Sequence, residues 1–288
     1  MTVSANDVRP RSPTPEEEQA LSAPVGPAAD GPWVAFVRRW ALPAATVAVA
    51  PLLILIWVTA RRLDVVHPIL LPEFGQAVEA LGRVVTADGF GGHLWRTLSE
   101  IGLGFLLGSA VGLGLGVGLS TFPLLRRAYF PLLAGFEAIP GIVLAPVVIT
   151  WLGFGLSGKV VQAAIACFFP VFVTTLVGLS MVTADELKLM RIMKASRWTV
   201  MRELRMRSAL PAIFGGLKIA ITMATIGAIV SEFVGSDAGL GYLLLRYKGG
   251  YDTPAMFALI FIFGVIGILS FLLLEFLERK IVFWREPS

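Results

Sequence analysis

The chain has 288 residues, of which 56% are hydrophobic and only 15% charged, where an ordinary globular chain is about a quarter charged. That balance excludes a disordered chain and argues against a water-soluble enzyme, while the length suits about six membrane spans with short connections. The net charge of +4, in a chain this apolar, points to basic loops facing an anionic leaflet rather than to nucleic acid.

Residues 1–32 hold six prolines, the acidic run Glu16-Glu17-Glu18 and few large apolar side chains. Such a segment cannot bury enough surface to offset its ordering entropy, so it is expected to be a disordered cytoplasmic tail. It has no apolar h-region and is not a signal peptide. Residues 33–288 form the expected transmembrane domain. The stretches 40–60, 101–125, 138–158, 160–184 and 253–274 carry no charge, and 208–231 is interrupted only by Lys218. Each approaches or exceeds the roughly 20 residues that cross a hydrocarbon core as a helix. The expected spans are about 40–60, 98–122, 130–152, 160–182, 210–232 and 254–276, with a cytoplasmic loop over 183–209. Lys218 lies near a span end and can snorkel. Pro140, Pro146 and Pro170 are tolerable where neighbouring helices satisfy the freed carbonyls.

With both termini in the cytoplasm, the inner segments hold 17 of the 24 basic residues, as the positive-inside rule favours. Within the second span Gly104, Gly108, Gly112 and Gly116 recur every fourth residue. They form one smooth ridge for close backbone packing, expected against another helix of the same chain. The single cysteine, Cys167, excludes a disulfide framework and a multi-cysteine metal site, and in its apolar run it reads as a small buried hydrophobe.

Residues 153–159 match GxxxxGK, most of a phosphate-binding loop. Val160 has no hydroxyl for magnesium, and a span rather than a strand–helix unit lies on each side. A tight turn between two spans explains these glycines better. His67 and His93 lack metal-ligand spacing, and no catalytic constellation stands out. Glu137 and Glu232 are candidate pathway residues, because carboxylates in or near spans are functional suspects. The plainer reading of them, as of Glu100, is helix packing or an interfacial position.

The loop over 183–210 carries seven bases and three acids, with Leu187, Met190, Trp198, Met201 and Leu204 at helical spacing. Two short amphipathic helices joined near Ala195-Ser196 fit this pattern. They suit either a membrane surface or a docking site for a soluble partner.

This loop resembles the EAA loop of permease subunits of binding-protein-dependent ABC importers. Ala195-Ser196-Arg197-Trp198, Ala209-Leu210-Pro211-Ala212-Ile213 and Gly216-Leu217-Lys218 match the family pattern. So do Leu70-Leu71-Pro72, Ala145-Pro146, Trp151-Leu152-Gly153-Phe154-Gly155, Phe168-Phe169-Pro170 and Gly239-Leu240-Gly241-Tyr242. The resemblance covers about 70–283. Three departures stand out: Lys188-Leu189-Met190 where the family has Glu-Ala-Ala, Lys194 where it has Gly, and Met206-Arg207 where it has Leu-Pro. Gly permits a positive φ at low cost, and Lys194 is expected not to. The pattern is similar to permeases for taurine, aliphatic sulfonates and nitrate, and for thiamine-precursor pyrimidines and riboflavin. Ile229–Gly235 is closer to the second group.

The resemblance implies an all-α integral membrane protein of the type I ABC importer permease kind, with six transmembrane helices and a cytoplasmic coupling-helix loop, in the plasma (inner) membrane. It implies no catalytic residue and no metal. Lys188, Met190, Lys194, Ala195, Ser196, Arg197, Trp198 and Met201 would couple to the ATPase. No cofactor is expected on this chain; ATP and Mg belong to partner ATPase subunits. The other expected partners are an extracytoplasmic substrate-binding protein and a second permease, identical or not. An ion-coupled secondary transporter, or a membrane-embedded enzyme or scaffold, would need mid-membrane ionisable residues, inverted repeats or a His/Asp/Glu cluster; none of these is clear in the sequence.

Overall fold

A computed structural model describes residues 42–284; the expected tail over 1–32 lies outside the described residues. The chain divides into two compact units, 1–60 and 61–288. All but the last two residues of α1 (Leu42–Arg62), an apolar helix of 21 residues with Pro51 inside it, belong to the first. The second unit contains α2 (Phe74–Thr86), α3 (Phe90–Thr121), α4 (Pro123–Glu137), α5 (Gly141–Leu152), α6 (Leu156–Leu179) and α7 (Ala184–Ile192). After these come α8 (Arg197–Val234), α9 (Leu240–Gly249) and α10 (Thr253–Ile281). The described residues contain no strand.

Among the described residues, the helices α3, α6, α8 and α10 meet the length and hydropathy needed to cross a membrane, and α4 with α5 add a further span if the bent pair is one. The span expected at about 130–152 falls on this pair, which bends by 93°. Ile139 precedes Pro140, and a residue before proline is disfavoured in the helical region. Pro140 lacks an N–H and serves as the N-cap of α5, with φ −56° and ψ 123°. The second helix of the 183–209 segment runs unbroken into the next span as α8, through a π-helical turn at Val200–Arg205. The Leu-Pro of the resembled pattern is Met206-Arg207 here, so no proline interrupts the backbone ladder at that point.

The α6 helix is the centre of the bundle, packed between α3 and α8. The contacts are made by small residues. A Cβ added to Gly108 or Gly112 would lie 2.5 Å from the carbonyl of Ala164 or Phe168, and one on Gly116 would lie 2.7 Å from Thr175 Cβ. On the other flank, a Cβ on Gly227 would lie 2.9 Å from Ala163 Cα, and one on Gly178 would lie 3.0 Å from Ala209 Cα. Between helices in lipid, where both surroundings are apolar, van der Waals contact of this kind holds the pair. The Gly104–Gly116 ridge thus packs within the chain, as expected. Cys167 lies fully buried beside it, its Sγ 3.6 Å from the Gly104 carbonyl.

Polar contacts tie α10 to its neighbours. Lys218 pairs with Glu278 at 2.7 Å and lies 5.3 Å over the Phe271 ring, so this lysine has a partner on α10. At the other end, Arg83 meets Asp252 at 3.5 Å, and Thr253 Oγ1 donates to the Ile69 carbonyl at 2.7 Å. The connections expected to be loops contain α2 and α9 and close this end of the bundle.

Candidate functional site

Three places bring functional side chains together: the α7–α8 corner, a buried ionic cluster at the opposite end, and a cavity beside the α4–α5 bend.

At the corner, Thr183 begins α7 with a reciprocal cap. Its amide donates to Glu186 Oε2 at 2.8 Å, and the Glu186 amide donates back to its hydroxyl at 3.3 Å. These bonds to Thr183 hold the exposed Glu186 carboxyl below the ordinary range. Ser196 caps the next helix, accepting from the Thr199 amide at 3.1 Å. The expected joint at Ala195-Ser196 is therefore present. Lys194 forms the turn with φ +53°. The turn is made without glycine, in a region that costs other L-residues about 1–2 kcal/mol.

Two of the departures from the resembled pattern are neutralised locally. Lys188 pairs with Asp185 at 2.8 Å, and Arg207 with Glu203 at 2.8 Å. Both pairs are exposed and contribute little stability. The apolar residues sort into two faces. Met201 is half-buried against Leu179, Ala209 and Ile213, so it faces the bundle. Met190 and Ala195 are also half-buried, whereas Arg197 is exposed. Trp198 is 72% exposed, and Leu189, Ile192 and Met193 are exposed with it. Sequence periodicity placed Trp198 and Met201 on one ridge. The structure separates them: the π turn that begins at Val200 changes the helical phase between Trp198 and Met201. Leu189, Ile192 and Met193 have no signal in the sequence beyond being apolar in a basic segment.

The ionic cluster joins α3, α6 and the end of α8. Glu100 Oε1 accepts from Arg96 Nε at 3.0 Å and lies 3.5 Å from Lys159 Nζ. Glu100 and Lys159 are both completely buried. Lys159 also donates to Ser236 Oγ. Glu232 is buried, with Oε1 accepting from Thr97 Oγ1 at 2.6 Å and Oε2 accepting from the Gly241 amide. Thr97 in turn accepts from the Leu240 amide at 2.8 Å, and His93 Nδ1 accepts from the Gly239 amide at 3.0 Å. Glu232 is thus held by hydroxyl and amide donors, whereas Glu100 faces two cations, Arg96 and the buried Lys159. Removing one member of such a buried pair costs about 3–5 kcal/mol, because the other is left uncompensated. A Cβ on Gly241 would lie 2.7 Å from Glu232 Oε2, so the Gly239-Leu-Gly241 motif lets the backbone close over this carboxylate.

The GxxxxGK segment is a turn between two helices. Gly153 ends α5 at φ +84°, a Cβ on Gly158 would lie 2.7 Å from the Gly153 carbonyl, and Lys159 is held by Glu100 and Ser236. Its lysine is thus committed to an internal ion pair.

The cavity, of about 230 Å³, lies where α4, α5, α6 and α8 meet. Phe136, Ile139, Ile142, Met223 and Val230 supply apolar walls, and Glu137 and Gln162 supply polar groups. Gln162 is buried; its Nε2 donates to the Gly141 carbonyl at 2.8 Å, while its Oε1 has no hydrogen-bond donor. Of the two candidate pathway carboxylates, Glu137 lines this cavity, and Glu232 is enclosed in the ionic cluster.

The sequence pattern of the binding-protein-dependent transport system inner membrane components matches residues 108–283. The chain is 33% identical to the formylaminopyrimidine transport permease protein ThiX of Halalkalibacterium halodurans, over 82% of this chain and 94% of that protein. It is 32% identical to the riboflavin transport system permease protein RibX of Chloroflexus aurantiacus, over 88% and 95%. In fold it is similar to a chain of the MetNI methionine ABC transporter in an inward-facing conformation. There the TM-score is 0.59 at 20% identity, with 70% of this chain and 95% of that chain covered.

Proposed function

Since this chain belongs to the family of binding-protein-dependent transport system inner membrane components, it is a multi-pass membrane permease subunit of an ABC importer, and we propose how its parts divide that work. The α7–α8 corner docks into a separate cytoplasmic ATPase, which binds ATP and Mg and performs the hydrolysis. Trp198, Arg197, Lys188 and Lys194 lie on the docking side. Ser196 and Lys194 shape the turn, and Met190, Ala195 and Met201 hold the corner to the bundle. The observation that carries this reading is the continuity of α8. A helix that begins at the exposed Arg197 and ends beside Glu232 transmits a push at the corner directly into the membrane region. Coupling requires that the corner make different contacts with the ATPase in the two states of the path.

The basic residues favour a cytoplasmic corner and cytoplasmic termini, with α1 as an additional span that completes six. The opposite end, with α2 and α9, then faces the extracytoplasmic binding protein. A second permease, identical or not, encloses the path, and Glu137 lines it. The cargoes named for the relatives, a formylaminopyrimidine and riboflavin, favour a small heterocyclic solute for this chain as well.

Cysteine accessibility tests the orientation. In a Cys167→Ala background, a cysteine at Ile192 is expected to react with a membrane-impermeant maleimide only in inverted vesicles, and one at Tyr251 only in intact cells. The reverse pattern would contradict the orientation.

A further inference from the structure

The charge and hydrogen-bonding character of the cavity beside the α4–α5 bend restricts what can pass it. This argument rests on the reading of that cavity as part of the path. Most of its walls are apolar, and its polar side chains, Glu137 and Gln162, both offer acceptors. The Gln162 amide nitrogen is already committed to the Gly141 carbonyl, so the oxygen is what remains without a partner. No Lys, Arg or His is among the described residues that line it.

An anionic solute entering such a space would lose its hydration and meet a carboxylate with no compensating cation. The helix ends do not reverse this sign. The C-terminal end of α4 and the N-terminal end of α5 meet at the bend, so their opposite partial charges of about half a unit largely offset. The full charge of Glu137 then decides. A donor-bearing solute gains where the anion loses. An N–H or ammonium group can bond Glu137 at the rim, while an apolar or aromatic body fills the space between Phe136, Ile142, Met223 and Val230.

We propose that this cavity is a selectivity site for neutral or cationic, largely apolar solutes that carry N–H donors, and that it rejects sulfonates and other anions.

The test uses the complete transporter, with its ATPase and binding protein, in inverted-free membrane vesicles supplied with internal ATP. Uptake of radiolabelled 4-aminopyrimidine, benzylamine and ethanesulfonate is measured for the wild type, Glu137→Gln and Glu137→Asp at matched permease levels. At least one amine-bearing probe is expected to be carried and ethanesulfonate excluded. Glu137→Gln should lower amine uptake about tenfold, the scale of one lost hydrogen bond to a charged group, and Glu137→Asp should retain most of it. Since Asp keeps the charge, its retention separates a lost interaction from a misfolded protein. ATP-driven uptake of ethanesulfonate, uptake of neither amine, or an amine rate untouched by Glu137→Gln would each overturn the assignment. Uptake of any probe that persists without ATP would instead overturn the importer reading.

Discussion

Lys194 shows how one residue can keep a geometry that its chemistry opposes. The backbone there sits at φ +53°, where a side chain with a Cβ is crowded. The neighbouring bonds hold it: the Lys194 amide donates to the Arg191 carbonyl at 2.9 Å, and the Ala195 amide donates to the Met190 carbonyl at 3.0 Å. Lys194→Gly should therefore relieve strain without altering the corner. The expected result is a gain of about 1 kcal/mol, read as a rise of about 2 °C in the detergent-solubilised melting temperature. A lower melting temperature would show that the lysine side chain makes a contact worth more than the strain. The same scale explains a limit of sequence reading. Glu100, Lys159 and Glu232 are far apart in the chain, and single positions do not reveal that they meet. The signal available was indirect: a lysine at a span boundary, and a Gly-x-Gly motif with no phosphate to bind.

At the scale of elements, the glycine ridge of α3 was legible because a four-residue spacing projects directly onto one helix face. Its partner, α6, was not legible, because spacing says nothing about which helix receives the ridge. The close approach makes a sharp pair of expectations. Gly108→Leu would drive a side chain into the Ala164 backbone and Cys167, so folded protein in the membrane should fall several-fold. Gly114→Ala has nothing within 4 Å of its new methyl, and its yield should match the wild type. Fluorescence-detected size exclusion of tagged variants checks both. Equal yields for the two would mean that α3 and α6 do not pack along this seam. The α4–α5 bend was only partly visible. Pro140 marks it, but a proline in an apolar run is equally compatible with a mild kink, and the 93° turn depends on the helices packed around it. The outer helices α2 and α9 were missed because short amphipathic segments between spans have the composition of loops.

At the scale of the whole molecule, the arrangement puts an ionic lock and two short helices at one end, an exposed apolar corner at the other, and α6 and α8 between them. The charge distribution singled out this corner but suited a membrane surface as well as a docking partner; the family resemblance favoured docking. The division of its apolar residues between partner and bundle emerged only once the turns at Lys194 and Val200–Arg205 were placed. That division gives the most direct measurement of the central claim, that the corner transmits ATPase movement to the path through α8. Substrate-stimulated ATP hydrolysis is measured in proteoliposomes containing the complete transporter, for the wild type and for Trp198→Asp, alongside the melting temperature of the permease. Trp198 is exposed, so Trp198→Asp is expected to leave the melting temperature within about 1 °C, as surface substitutions generally do, and to abolish both stimulation and uptake. Met201→Asp, placed against Leu179 and Ile213, should lower the melting temperature. Full substrate-stimulated hydrolysis and uptake in Trp198→Asp would contradict the account.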